Sequence, residues 1–271
     1  MTLGAAAVAG CFATAATYLY LNDESEQLVV ERVQIPIKDL KPAFEGFTIV
    51  QMADFHLYPL TTLDLVERAV AIANSLNPSL TVLTGDYVWH EVEAVFDLVP
   101  VLADLDAQHG VFSIHGNHEI WTDVNVIRTA FAEQSLPILE NQGVPVTVGK
   151  DTIYLAGLDD GWSGEPDLDA ALQDMPEGVP VILLMHEPDL ADTYSLDSRV
   201  SLQLSGHSHG GQVRLSRDRP ILLPYLSWKY DQGLYRVNDM WLYTNRGIGV
   251  TNVPVRFNCP PEITEITLVR M

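Results

Sequence analysis

Short runs of branched aliphatic residues alternate along this chain with longer stretches in which apolar residues recur at helical spacing. One such stretch begins at Thr62, a residue suited to helix capping, and its Val66 and Val70 fall on a single helical face. The predicted helices are 62–75, 93–105, 124–134 and 168–174. The predicted strands are 28–37, 47–52, 80–83, 111–114, 144–148, 152–155, 181–185, 201–204, 213–215, 233–237, 241–243 and 263–269.

The order of these elements predicts an α/β fold. The first two-thirds of the chain alternate strands with helices, whereas the part after His209 is rich in strands. Because a sheet has to bury its apolar face, this order predicts sheets packed face to face with helices outside them. No linker rich in Gly, Ser or Pro divides the middle, so we expect one domain over residues 23–271.

Residues 2–21 form a separate, uncharged and alanine-rich segment. Its length at helical rise matches a hydrocarbon core of about 30 Å, and Tyr18 and Tyr20 near its end suit the headgroup region. A spanning anchor, a cleaved signal, a lipoprotein signal around Cys11 and a buried core helix are the alternatives. We expect residues 1–22 to be a membrane anchor or signal-like segment, and the acidic flank after it slightly favours the extracytoplasmic face for the main domain.

Composition and charge exclude some classes of function. The chain has 271 residues, 47% of them hydrophobic, which excludes an intrinsically disordered protein. Its 36 acidic against 15 basic side chains give a formal charge of -21, so we expect no nucleic-acid partner held by bulk electrostatics. Residues 210–271 differ, with a small excess of basic side chains, and an anion is expected to meet either this region or a bound metal. No obligate protein partner is evident.

Residues of the kinds that bind metals repeatedly follow the predicted strands. They are Asp54, His56, Asp86, Asn117, His118, Glu119, His186, His207 and His209. Because residues beyond the carboxyl ends of strands converge on one crevice of an α/β sheet, we expect these side chains to meet. Imidazoles and carboxylates together suit a pair of divalent first-row metals. Gly85, Gly116 and Gly206 beside them allow a close approach of the backbone.

This pattern resembles a known signature. Asp54-x-His56, Gly85-Asp86, Gly116-Asn-His-Glu119, His186 and Gly206-His-x-His209 together look like the complete motif set of the calcineurin-like metallophosphoesterases, over most of residues 47–215. Further segments are similar to the membrane-associated bacterial YkuE/YaeI-like branch of that superfamily, which carries an N-terminal anchor or export signal. These segments are Ser205-Gly-His-Ser-His-Gly-Gly-Gln212, Tyr243-Thr-Asn-Arg-Gly-Ile-Gly249, Pro254-Val-Arg256 and Pro261-Glu-Ile263.

The resemblance implies a four-layer αββα sandwich and a site for two divalent ions, with Mn, Fe or Zn as candidates. One ion would be held by Asp54, His56, Asp86 and His209, and the other by Asp86, Asn117, His186 and His207. A hydroxide bridging the two ions would attack the phosphorus of a phosphoester substrate. His118 would be the general acid, with Glu119 orienting its imidazole.

Two arginines in the C-terminal region are candidates for binding substrate. The guanidinium groups of Arg246 and Arg256 suit phosphate oxygens, and surface ion pairs are the alternative. The sequence thus predicts a membrane-attached, binuclear-metal phosphoesterase acting on a membrane-associated or lipid substrate. A pyrophosphatase of the lipid-A precursor UDP-diacylglucosamine is the alternative enzyme, and a non-catalytic metal-binding scaffold is the alternative outside catalysis.

Overall fold

Apolar side chains alternate between two buried faces along the central strands of this computed structural model, which describes Thr14 and residues 17–271. On strand β2 (Thr48–Met52), for example, Ile49 packs on one side of the sheet and Val50 on the other. A strand buried on both faces in this way belongs to the interior of a layered α/β fold. The predicted anchor at residues 1–22 lies mostly outside the described residues. Among those that are described, no helix has the length and apolar character needed to cross a bilayer.

Two large sheets form the centre of the molecule. In the first, the strand order is β1 (Val29–Ile37), β13 (Glu262–Arg270), β2 (Thr48–Met52), β3 (Leu80–Leu83) and β4 (Val111–Ser113). In the second it is β11 (Gly233–Val237), β12 (Met240–Thr244), β8 (Val200–Ser205), β7 (Val181–Leu184), β6 (Asp151–Gly157) and β5 (Gln142–Val148). Strands β2, β3 and β4 are parallel to one another, as are β6, β7, β8 and β12. A two-stranded ribbon, β9 (Arg214–Ser216) with β10 (Arg219–Pro220), lies apart from both sheets.

The helices cover the outer faces of the two sheets. Their bounds are α1 (Leu63–Ser75), α2 (Val95–Leu102), α3 (Asn117–Trp121), α4 (Val124–Glu133), α5 (Leu168–Ala171) and α6 (Ala191–Tyr194). Helices α1, α2 and α4 pack on the first sheet, and α5 and α6 pack on the second. A third apolar cluster joins the sheets, with Ile49 and Val82 from one and Ile182 and Leu202 from the other. The predicted four-layer αββα sandwich is therefore confirmed.

The predicted elements match these bounds except where an element is very short. Thr62 caps α1 as expected, since its hydroxyl accepts a hydrogen bond from the amide of Leu65 at 3.3 Å. The helix predicted at 168–174 is a single turn, and the sequence pattern gave no sign of α3 or α6. Helices of four or five residues are too short to show a helical period.

Candidate metal centre

The carboxyl ends of five strands meet at one edge of the sandwich and carry the candidate ligands. Strands β2, β3 and β4 deliver residues from the first sheet, and β7 and β8 deliver residues from the second. Most of the ligand positions have left-handed backbone conformations, which are uncommon for residues other than glycine. These positions are Asp54 (φ 52°), His56 (φ 43°), Asp86 (φ 59°), His207 (φ 68°) and His209 (φ 50°). Such strain concentrates at functional sites because the surrounding fold has to enforce it.

One group of potential ligand atoms joins both sheets. Nε2 of His209 lies 3.4 Å from Oδ1 of Asp54 and 2.9 Å from Nε2 of His56. Both carboxylate oxygens of Asp54 also accept a hydrogen bond from the amide of His207, at 2.9 and 3.0 Å. All these side chains are buried. The three ligand atoms are close enough together to hold one metal ion.

A second group lies beside the first and shares one carboxylate with it. Asp86, His186 and His207 also bring their ligand atoms close enough to hold a metal ion. Oδ2 of Asp86 lies 3.2 Å from Nε2 of His186 and 3.3 Å from Nε2 of His56, which belongs to the first group. A single carboxylate oxygen therefore stands between histidines of the two groups. His118 forms a further possible group with His56 and Asp86.

Two buried atoms at this site support the presence of metal ions. Oδ1 of Asn117 has no hydrogen-bond partner among the described residues, and Nε2 of His186 makes no well-directed hydrogen bond there although the Asp86 carboxylate lies 3.2 Å away. A buried polar atom without a partner is costly to the folded state, and a bound cation removes that cost. Imidazole, carboxylate and amide oxygen also suit divalent first-row metals. The residues present thus fit two divalent ions.

Burial dominates the electrostatics of the site. It raises the pKa of Asp54 to about 7, although His186 nearby opposes the rise. Burial also lowers the pKa of His207 to about 3 and that of His209 well below its usual value. For His186 the effect of burial is outweighed by Asp86, and its pKa is raised. The buried His207 and His209 are therefore held neutral, and the neutral imidazole is the form that coordinates metals.

Backbone carbonyls fix the orientation of three imidazoles. Nδ1 of His186 donates to the carbonyl of Thr84 at 2.6 Å, and Nε2 of His207 donates to that of Tyr225 at 2.7 Å. Nδ1 of His118 donates to the carbonyl of Trp89 at 2.7 Å, and its ring stacks on the Trp89 indole with centroids 4.6 Å apart. The opposite nitrogen of each ring is left to face the centre. Sequence reasoning missed these contacts because a carbonyl carries no side-chain signal.

Glu119 lies at the site but does not orient His118 as expected. Its carboxylate accepts three backbone hydrogen bonds, from the amides of Asp86, Tyr87 and Gly116 at 2.9, 2.7 and 2.8 Å. The reason is local, since Glu119 is the third residue of α3 and folds back over the helix start. Glu119 thus holds the loop that presents Asp86. The carbonyl of Trp89, and not Glu119, orients the imidazole of His118.

The glycines beside the ligands leave no room for a side chain. A Cβ on Gly116 would overlap Oδ1 of Asp86 and lie 2.7 Å from Nε2 of His186. A Cβ on Gly85, which has φ +92°, would lie 2.6 Å from the amide nitrogen of Gly116. The expected close approach of the backbone is therefore present at both positions.

The two arginines predicted to bind substrate lie elsewhere. Arg246 makes ion pairs with Glu31 and Glu262, at 2.7 and 2.6 Å. Arg256 is fully buried, and its guanidinium donates to the carbonyls of Arg246, Gly247, Gly249 and Cys259. Neither side chain lines the cavity over the candidate ligands. The sequence pattern does not distinguish a guanidinium that binds phosphate from one that holds a loop. Here Arg246 is paired with carboxylates and Arg256 is hydrogen-bonded to backbone carbonyls.

A cavity of about 480 Å³ opens over the candidate ligands. His56, Asp86, Asn117, His118, His207 and His209 line its floor. Its walls are largely apolar and include three indoles and a leucine-rich segment. The wall residues include Trp89, Trp121, Trp162, Ile221, Leu222, Leu223, Pro224 and Val253. A ligand with both a polar and an apolar part fits such a lining.

Residues 47–211 match the family model of the calcineurin-like phosphoesterases, which covers more than half of the chain. This protein belongs to that family. The predicted family is therefore confirmed, and the protein is a hydrolase of the metallophosphoesterase type.

Individual relatives support the same branch. The metallophosphoesterase YkuE of Bacillus subtilis is 34% identical over 252 residues, covering 90% of this chain and 87% of that protein. The phosphodiesterase YaeI of Escherichia coli is 30% identical, covering 82% of each. A transmembrane protein with a metallophosphoesterase domain from Bos taurus is 30% identical over 97% of this chain, which spans only 62% of that protein.

A solved structure supports the fold. The sulfate thiohydrolase SoxB of Thermus thermophilus superposes with a TM-score of 0.53 over 85% of this chain and 57% of that one. At 12% identity the likeness concerns the fold alone.

Proposed function

We propose that residues 23–271 form a binuclear-metal phosphoesterase domain, held at a membrane by residues 1–22, that hydrolyses a membrane-associated phosphoester. The observation that best supports a binuclear site is the position of Asp86. One of its oxygens lies within 3.3 Å of nitrogens from both His56 and His186, which belong to separate groups of potential ligands. A bridging carboxylate needs this placement.

The ligands divide into two sets that share Asp86. Asp54, His56 and His209 complete the first set, and Asn117, His186 and His207 complete the second. When bound, two such cations acidify a shared water and neutralise the charge of the phosphoryl oxygens. The protein contributes the rigid carbonyl contacts that aim His186 and His207.

His118 would protonate the leaving group. It lines the cavity beside His56, with ring centroids 4.6 Å apart. Because Nδ1 donates to the carbonyl of Trp89, the other ring nitrogen, Nε2, is the one that can give a proton to a leaving alkoxide. Stacking on Trp89 restricts the ring to this orientation. Glu119 contributes indirectly, through the loop that carries Asp86.

The membrane part of the proposal rests on the sequence and on relatives. Residues 2–21 are uncharged and long enough to cross a hydrocarbon core. The related bovine protein is named as transmembrane. An anchored site meets membrane substrates at a high local concentration, which favours a lipid phosphoester. The extracytoplasmic face remains the prediction made from the acidic flank.

The full chain in detergent tests the enzymatic part. We expect hydrolysis of bis-p-nitrophenyl phosphate with Mn²⁺, loss of that activity with a chelator, and its return when metal is added back. Elemental analysis should give two ions for each chain. The surface variant Arg199→Ala is the matched control, because Arg199 pairs with Asp197 and Asp169, far from the ligands. Absence of activity with Mn²⁺, Fe²⁺ and Zn²⁺ would contradict the proposal and favour a scaffold.

A further inference from the structure

Exposed apolar side chains are concentrated around the mouth of the cavity. Of the large apolar residues that are exposed in the described part of the chain, five line the cavity itself: Trp121, Trp162, Ile221, Leu222 and Val253. Scattered exposed apolar residues are normal on a soluble domain, but a contiguous set beside a binding site marks an interaction surface. We call the outermost residues the apolar rim. It consists of Ile221, Leu222 and Val253, which line the cavity, and of three exposed neighbours outside the lining: Leu215, two positions after the lining residue Val213; Tyr225, next to the lining residue Pro224; and Trp228, which packs on Tyr225.

The apolar rim combines aliphatic and aromatic side chains with basic ones. Leu222 is 76% exposed and Trp228 67% exposed, although burial is the usual state of both residue types. Tyr225 packs edge-on against Trp228, with ring centroids 5.6 Å apart. Arg217 and Arg219, in the ribbon beside the rim, are exposed and make no ion pair with any described residue. Aliphatic, Trp and Tyr side chains flanked by unpaired Arg are the composition of surfaces that enter a membrane interface.

The described end of the N-terminal segment, residues 17–21, packs near the same place through Tyr18, whose ring lies edge-on to Phe257 at 5.7 Å. The amide of Phe257 donates to the carbonyl of Gln212 at 2.9 Å, and Gln212 lines the cavity. Asp23 fixes the exit point, since its carboxylate accepts from the amide of Arg256 at 2.9 Å. A membrane that holds residues 2–21 therefore lies next to the cavity mouth.

We propose that the apolar rim inserts into the surface of the lipid bilayer, and that the substrate is a phosphoester bearing an acyl or alkyl chain that enters the cavity from the bilayer. The phosphoester group of the substrate would contact the metal-binding floor of the cavity, and its acyl or alkyl chain would lie along Ile221, Leu222 and Val253. The substrate class rests on the proposed phosphoesterase activity, whereas the membrane-binding surface rests on the proposed membrane attachment and not on that activity.

Position-specific quenching tests the surface without any need for activity. A fluorophore is coupled to the full chain carrying Cys11→Ser and Leu222→Cys, since the remaining Cys259 is buried. The matched control is Leu196→Cys, because Leu196 is 79% exposed but lies outside the cavity lining. In phosphatidylethanolamine–phosphatidylglycerol vesicles containing brominated lipid, we expect quenching at position 222 and none at position 196. Quenching at both positions, or at neither, would overturn the proposal.

A pair of esters with the same leaving group tests the substrate class. We compare kcat/KM for hexadecyl p-nitrophenyl phosphate in these vesicles with that for ethyl p-nitrophenyl phosphate, with Mn²⁺ present. Ile221→Ser with Leu222→Ser should lower the hexadecyl-to-ethyl ratio about tenfold, because two apolar side chains no longer contact the bilayer or the alkyl chain. Leu196→Ser should leave the ratio unchanged. An unchanged hexadecyl-to-ethyl ratio in the double variant would overturn the proposed substrate class. Wild-type protein that is inactive on both esters would instead refute the proposed phosphoesterase function, and the quenching result would not be affected.

Discussion

Replacing Arg256 by alanine should weaken the fold and the metal centre rather than the affinity for substrate. The Arg256 guanidinium is fully buried and donates hydrogen bonds to backbone carbonyls. Its Nη2 donates to the carbonyl of Arg246 at 2.8 Å, its Nε to that of Gly249 at 3.1 Å and its Nη1 to that of Cys259 at 3.2 Å. Nη2 also lies 3.4 Å from Nδ1 of His209, a candidate ligand.

The magnitude follows from the acceptors that would be left behind. The carbonyl of Gly247 would keep the amide of Glu262 as its donor, but those of Arg246, Gly249 and Cys259 would lose theirs. Each buried carbonyl without a donor costs roughly 1–3 kcal/mol, so these three lower the free energy of unfolding by about 3 kcal/mol or more. For a chain of this size, about 3 kcal/mol lowers Tm by about 6–12 °C. The guanidinium also packs against His209, so loss of the loop contacts that it holds should lower the metal content as well.

Thermal unfolding measures the change in Tm, and elemental analysis measures the metal content. Steady-state kinetics with bis-p-nitrophenyl phosphate measure KM. The control is Arg199→Ala, which removes partly exposed ion pairs with Asp197 and Asp169 and should change stability by less than about 1 kcal/mol. If Arg256→Ala kept its Tm and metal content and raised only KM, the guanidinium would contact the substrate and our reasoning would be refuted.

Three further predictions concern the floor of the cavity. Asp86→Asn should lose at least one of two ions by elemental analysis, because the bridging charge is removed; unchanged stoichiometry would exclude a bridge. His118→Gln should keep both ions but lower kcat about a hundredfold for a substrate with an alkyl leaving group. The loss should be smaller for p-nitrophenolate, because this leaving group needs no proton, and an equal loss for both leaving groups would exclude acid catalysis. Gly116→Ala should lower metal content, since its Cβ would overlap Asp86; full occupancy would show that the loop adapts.

The sequence alone determined the layers of the fold and the set of residues that meets at the sheet edge. Strand alternation at positions such as Ile49 and Val50 dictated which face each side chain buries, and that pattern is local. The ligand-type residues follow strand ends because a parallel sheet brings those ends together. From Asp54 to His209, these residues are separated by 155 positions yet share one site, and their order along the strands was enough to predict it.

Only the tertiary structure decided what surrounds those residues. The carbonyls of Thr84, Trp89 and Tyr225 orient three imidazoles, and any residue type offers such a carbonyl. Arg256 has a charge that could bind phosphate, and Glu119 has one that could assist acid catalysis. In the structure, however, both side chains are hydrogen-bonded to the backbone of loops and hold those loops in place. The position of a buried charge depends on which distant backbone groups reach it, and that depends on packing between elements far apart in the chain. The apolar rim likewise has no local signature, because whether a leucine is exposed is decided by what the rest of the fold places over it.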